Sequence, residues 1–215
     1  MEENYLVEPQ QARSQETMNK ILDAAAHILD EKSFDELTIS EVVHEAGTSV
    51  GAFYGRFKDK DALLQALDER FFIEFEHDVE ILLNRQNMLD KSLSEIIFLI
   101  ISFIVNAYSC QKGVLRSLNL RERISYGNHF LEREKYAWEK FLPRFNSVFT
   151  NYKDQIRHPD PELAINMGYR QMYYTMREVI LWQPLPGEKQ TFTKEVLVRE
   201  LTRAFLAYLG INQYD

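Results

Sequence analysis

A chain of 215 residues and 25.4 kDa, 45% hydrophobic and 27% charged, has the make-up of one or two compact globular domains; a wholly disordered or fibrous polymer is excluded. The formal net charge of -8 argues against indiscriminate attachment to nucleic acid. The single cysteine, Cys110, excludes an intramolecular disulfide and a cysteine zinc cluster, so a reducing cytoplasm is the expected setting.

The opening MEENYLVEPQQ is acidic and lacks the apolar stretch of a secretory leader; residues 1–13 are expected to form a disordered acidic tail. Residues 10–142 contain no proline, which permits long helices, and apolar residues recur at three and four rather than alternating. The expected fold is all-α, with about nine helices. The first helix, 14–31, places Ile21, Leu22, Ala25, Ile28 and Leu29 on one face. Thr38-Ile39-Ser40-Glu41 matches a capping box and starts a two-turn helix that stops at Gly47. Thr48 or Ser49 caps a third short helix, to about residue 56, and Asp59 caps a fourth that opens with Lys60 and runs toward residue 84.

Ser92 and Glu95 form a second capping-box match before a greasy helix ending near residue 109. Its longest apolar run is well short of the roughly 20 residues of a membrane span, so a buried helix and no membrane partner are expected. Further helices are expected over 112–119, over 128–154 with a kink at Pro143, and over 161–182. After the loop 183–187, a last helix over 192–209 ends at Gly210.

Two short helices joined by a glycine turn and braced by a third match the helix-turn-helix, which directs its second helix into the DNA major groove. The stretch 37–64, LTISEVVHEAGTSVGAFYGRFKDKDALL, resembles the N-terminal domain of TetR-type transcriptional repressors. The resemblance covers about residues 17–72 and includes Phe34, Thr38, Ala46-Gly47, Gly51, Phe53, Tyr54, Phe57 and Lys60. It implies a three-helix DNA-binding domain over 14–75 and a larger helical effector-binding and dimerisation domain over 76–215. The expected DNA-facing residues are Thr38, Thr48, Ser49, Val50, Gly51, Ala52, Tyr54, Gly55, Arg56 and Lys60. Thr38, Tyr54 and Lys60 are expected on phosphate, and Arg56 is open to either a guanine edge or a phosphate.

Charge is distributed against this expectation. Residues 1–70 carry 7 basic and 15 acidic side chains, although within 47–60 Arg56, Lys58 and Lys60 oppose only Asp59. Few phosphate contacts and a modest salt dependence follow.

The resemblance also implies a homodimer on a palindromic operator, through a four-helix interface drawn from Met172, Met176, Val179, Ile180, Val196, Leu197, Leu201, Phe205 and Tyr208. It implies an effector, apolar or aromatic, among the central helices. Phe98, Ser102, Phe103, Asn106, Tyr126, Phe130, Tyr169, Arg170, Tyr173 and Arg177 are its candidate contacts, each equally readable as a packed bundle residue. No GxSxG, P-loop, HExxH or dinucleotide glycine motif occurs, and His27, His44, His77, His129 and His158 lack metal-ligand spacing. No catalytic residue, cofactor or metal is expected. The alternatives are a helical small-molecule-binding or interaction module without sequence-specific DNA binding and, behind it, an enzyme.

Overall fold

The computed structural model describes residues 9–84, 90–124, 129–182 and 192–211, and among these it contains helices and no strand. The helices are α1 (Pro9–Glu31), α2 (Ile39–Glu45), α3 (Val50–Tyr54), α4 (Lys60–Leu82), α5 (Leu93–Cys110), α6 (Lys112–Ile124), α7 (His129–Val148), α8 (Pro161–Trp182) and α9 (Lys194–Leu209). A 3-10 helix, Phe149–Gln155, follows α7.

Several boundaries differ from those expected. α1 begins at Pro9, not at residue 14: a proline in the first turn lacks only an N–H that has no helical partner there. The expected tail over 1–13 is therefore shortened by the helix, and residues 1–8 lie outside the described residues. α6 runs on past residue 119 to Ile124, and Pro143 is carried inside α7, which gives way to the 3-10 helix instead of extending to residue 154. The loop 183–187 also lies outside the described residues.

The chain divides into two compact units, one of Met1–Ile73 with Gly113–Leu120 and the other of Glu74–Lys112 with Arg121–Asp215. In the first, the three-and-four spacing of α1 buries Ile21, Leu22, Ala25 and Leu29, and α1 packs on α2 and α3; Val42 and Val43 of α2, Phe53 of α3 and Leu63, Leu64 and Leu67 of α4 are buried in the same unit. Complete burial of each such leucine, isoleucine or phenylalanine contributes about 1.5–3 kcal/mol. Val114, Leu115 and Leu118 of α6 are buried here too, so this segment belongs with the N-terminal helices and not with the rest of 76–215.

In the second unit α5 is the central helix. Its capping box is complete, with the Ser92 hydroxyl accepting from Glu95 N at 3.3 Å and the Glu95 carboxylate accepting from Ser92 N at 2.8 Å. At 18 residues α5 is long and apolar enough to cross a membrane by length and composition. Ile96, Ile97, Ile100, Ile101, Ile104 and Val105 are instead buried within the unit, where α9 packs on both α5 and α8.

Most of the residues expected at a four-helix interface are already covered within this unit. Met172, Met176, Ile180, Leu197, Leu201 and Phe205 are buried inside one protomer, because the third helix, α5, supplies the cover. Val179, Val196 and Tyr208 remain half-buried. What stays open between α8 and α9 is a groove of about 420 Å³ with Met172, Leu197, Leu201 and Phe205 along it and Gln171, Thr175, Glu200 and Phe192 at its margins.

Candidate nucleic-acid interface

Thr38 caps α2 and Ser49 caps α3, each in extended backbone, with the Ser49 hydroxyl accepting from Ala52 N at 3.1 Å. Between them Gly47 adopts φ +61°, the left-handed conformation that turns the chain out of α2 without a Cβ clash. Phe53 is fully buried and anchors α3 from beneath, while the opposite face looks outward: Val50 is 47% and Tyr54 57% exposed. The Tyr54 ring stands edge-on to Phe53, centroids 5.4 Å apart, which holds its hydroxyl away from the core. A Cβ on Gly51 would meet only the Ser49 hydroxyl at 3.8 Å, so the backbone of α3 is bare on this side.

Three of the expected DNA contacts have hydrogen-bond partners inside the protein. The Thr38 hydroxyl donates to the Glu41 carboxylate at 2.8 Å and accepts from Glu41 N at 3.2 Å, leaving no proton for a phosphate, which can only accept. The Arg56 guanidinium turns away from α3's outer face and donates to Ser14 O at 3.2 Å, Ala52 O at 2.8 Å and the Ser14 hydroxyl at 3.3 Å. These hydrogen bonds staple α3 to the start of α1. The Lys60 ammonium donates to the carbonyls of Phe34, Asp35 and Leu37 at 3.3, 3.4 and 2.7 Å.

What the outer face retains is mostly neutral: the Ser49 hydroxyl proton, the Tyr54 phenol, the Val50 and Ala52 methyls, and the backbone at Gly51 and Gly55. Thr48 is half-buried at its edge. Lys58 is exposed and has no internal hydrogen bond or ion pair among the described residues. It counted in the charge balance above but not among the expected contacts. A pairing that sequence spacing did not signal supports α2: Lys32, at the end of α1, donates to Glu41 at 2.5 Å. That hydrogen bond, followed by those from Thr38, holds the Glu41 carboxyl at about 2. His27 of α1 meets Glu45 of α2 at 2.5 Å, which raises the imidazole above its ordinary value.

The expected effector contacts that are described have different surroundings. Phe98 and Asn106 are exposed, Ser102 and Phe103 half-buried, and Phe103 packs against Phe75 at 5.1 Å. Tyr169 lies in the core among Phe145, Phe149 and Phe205, and its burial pushes the phenol well above the ordinary value. Arg170 lies over the ring of Trp138 at 5.0 Å, and Arg177 lies over Tyr174 at 5.0 Å and Tyr173 at 5.7 Å. The Tyr108 hydroxyl donates to that of Tyr173 at 3.0 Å. Tyr126 lies outside the described residues, and so does the side chain of Phe130.

The folded head, a capped two-turn helix, a glycine turn and an outward-facing short helix on an all-α body, defines a helix-turn-helix protein. Within that head, residues 21–67 match the model of the bacterial regulatory proteins of the tetR family. The A-factor receptor protein of Streptomyces griseus is 36% identical over 70 residues, 32% of this chain and 25% of that one. The HTH-type transcriptional regulator YvdT of Bacillus subtilis strain 168 is 46% identical over 50 residues, 23% of this chain and 26% of its own. The chain thus spans about a quarter of the length of the curated relatives it matches. Among solved structures, a TetR-family transcriptional regulator of Mesorhizobium loti MAFF303099 superposes with a TM-score of 0.62 at 18% identity, covering 91% of this chain and 97% of that one. The regulator FadR of Bacillus subtilis, solved in complex with stearoyl-CoA, gives 0.59 at 19% identity, covering 90% and 98%. At these identities the likeness is one of fold.

Proposed function

We propose that the protein is a homodimeric, ligand-responsive transcriptional repressor of the cytoplasm. It lays α3 of each protomer in the major groove of a palindromic operator and is released by a small apolar or aromatic effector. The observation that carries the reading is α3 itself: five residues, capped by Ser49, anchored by Phe53 and exposed along Val50 and Tyr54, on a head of TetR type. Val50 and Ala52 offer apolar contact to a thymine methyl, Ser49 and Tyr54 offer hydrogen bonds, and Lys58 offers a charge to phosphate.

The open groove between α8 and α9 supports pairing with a second copy, since four helices around a two-fold axis would close it. The FadR neighbour holds stearoyl-CoA, whose acyl chain is apolar; an effector of similar apolar character is proposed for the second unit here. The guanidinium groups of Arg170, over Trp138, and of Arg177, over Tyr173 and Tyr174, are the groups that its polar end would meet. Such an effector acts by favouring a conformer of lower DNA affinity.

The deciding experiment is selection of duplexes from a random pool followed by gel shift. Enrichment of one palindrome, bound at least tenfold above unselected duplex, is the expected result. A folded protein that enriches no sequence supports the helical interaction module, a reading favoured by the internal engagement of Thr38, Arg56 and Lys60.

A further inference from the structure

The geometry points to Lys60 as a positioning residue of the reading head, whose ammonium fixes the α1–α2 connector by binding the carbonyls of Phe34, Asp35 and Leu37 and does not meet a phosphate. An ammonium has three N–H donors and no acceptor. Lys60 Nζ lies 2.7 Å from Leu37 O, 3.3 Å from Phe34 O and 3.4 Å from Asp35 O, one acceptor for each proton. The Phe34 ring lies 5.2 Å from the same nitrogen and adds a cation–π contact. The side chain is half-buried, and Phe34 and Leu37 are buried beside it.

Position makes this more than packing. The Leu37 carbonyl and the Thr38 N–H are the two ends of one peptide group. Lys60 holds the carbonyl end, while the N–H end donates to the Glu41 carboxylate at 3.1 Å as part of the α2 capping box. The ammonium therefore sets the peptide plane from which α2 starts, and α2 carries the glycine turn and α3. A cation at the first position of α4 is opposed by the helix dipole, and three converging carbonyls offset that opposition. Swinging Lys60 onto DNA would take the donors from all three at once.

The inference rests on the DNA-binding reading for one of its two tests only. The duplex selected by the wild-type protein is titrated between 50 and 200 mM salt. Lys60→Met keeps the aliphatic stem and should lower affinity at least fivefold at every salt concentration while leaving the log–log slope at its wild-type value. Lys60→Gln, with two N–H donors and no charge, should recover part of the affinity at the same slope. Lys58→Met, by contrast, should reduce the slope by about 0.9 per protomer. A Lys60→Met or Lys60→Gln slope reduced as far as that of Lys58→Met overturns the inference.

The second test needs no DNA. Amide hydrogen exchange of the free Lys60→Met protein should quicken at least tenfold at Leu37 and Thr38, with α5 and α8 unchanged. Wild-type protection at those two amides overturns the clamp. Failure of the wild-type protein to select any duplex counts against the proposed function and leaves the exchange result to decide the role of Lys60.

Discussion

Gly168 of α8 lies so close to Phe205 of α9 that a Cβ built on the glycine would overlap the edge of the ring. Phe205 cannot easily withdraw, because it is buried and its ring sits between those of Tyr169 at 5.2 Å and Phe149 at 6.2 Å. The absence of a side chain at 168 is what lets α9 approach α8. Gly168→Ala is expected to destabilise the protein by about 1–3 kcal/mol, since overpacking exceeds the up to about 1 kcal/mol that alanine gains in helix propensity. Chemical denaturation checks this; an unchanged or raised midpoint would show that the ring yields.

Gly51 presents the opposite case on the outer face of α3, where an added Cβ meets open space apart from the Ser49 hydroxyl. Gly51→Ala should leave stability unchanged or raise it by about 0.5–1 kcal/mol. If the backbone of α3 approaches DNA closely, the same methyl should cut affinity for the selected duplex about tenfold or more. Equal affinity for both proteins would place the DNA on some other face.

Much of the fold is legible in the sequence because its signals are local. Thr38 and Glu41, Ser92 and Glu95, Asp59, and Gly47 and Gly210 each announce a helix end within four residues, and each end forms as expected. The destinations of Arg56 and Lys60 are not local. Arg56 reaches back 42 residues to Ser14 and Lys60 reaches back 23 to Leu37, so only the folded backbone shows that their donors are already taken. The burial of Met176 and Leu201 within one protomer was hidden for a similar reason. An apolar helix face is written in the sequence, but whether α5 or a second copy covers it depends on packing. Aromatic residues at helical spacing look the same in sequence whether they line a pocket or fill a core, as Tyr169 does.

The acid and neutral limbs of the stability profile should separate two pairs in the head. Lys32 and Thr38 hold the Glu41 carboxyl at about 2, against 4.5 when free, so between these values the unfolded chain binds more protons than the folded one. The pair's contribution is complete above pH 4.5 and is lost as pH falls toward 2. His27 behaves in the opposite sense: the Glu45 carboxylate raises it above 6.5, so its contribution is complete below pH 6.5 and is lost as pH rises through the raised value. Denaturation midpoints from pH 2 to 8 check both. Glu41→Gln should flatten the acid limb relative to wild type, and His27→Gln the limb above 6.5. Limbs identical to wild type in either variant would mean that the corresponding pair is solvated in solution.

Tyr169 offers a test of whether the second unit uses this residue for packing or for a ligand. Its hydroxyl is buried and has no hydrogen-bond partner among the described residues, while its ring contacts Phe145, Phe149 and Phe205. A buried donor left unmade costs about 1–3 kcal/mol, so Tyr169→Phe, which keeps the ring and removes the oxygen, should stabilise the protein or leave it unchanged. Tyr108→Phe is the contrasting variant: it removes the hydrogen bond to Tyr173 and should destabilise by about 0.5–1.5 kcal/mol. If Tyr169 serves only the core, the thermal stabilisation produced by an effector found in a ligand screen will be the same for Tyr169→Phe and wild type. If the phenol meets a polar group of that effector, the variant will be the more stable protein when free and will gain less when the effector is added, an outcome that packing alone does not produce.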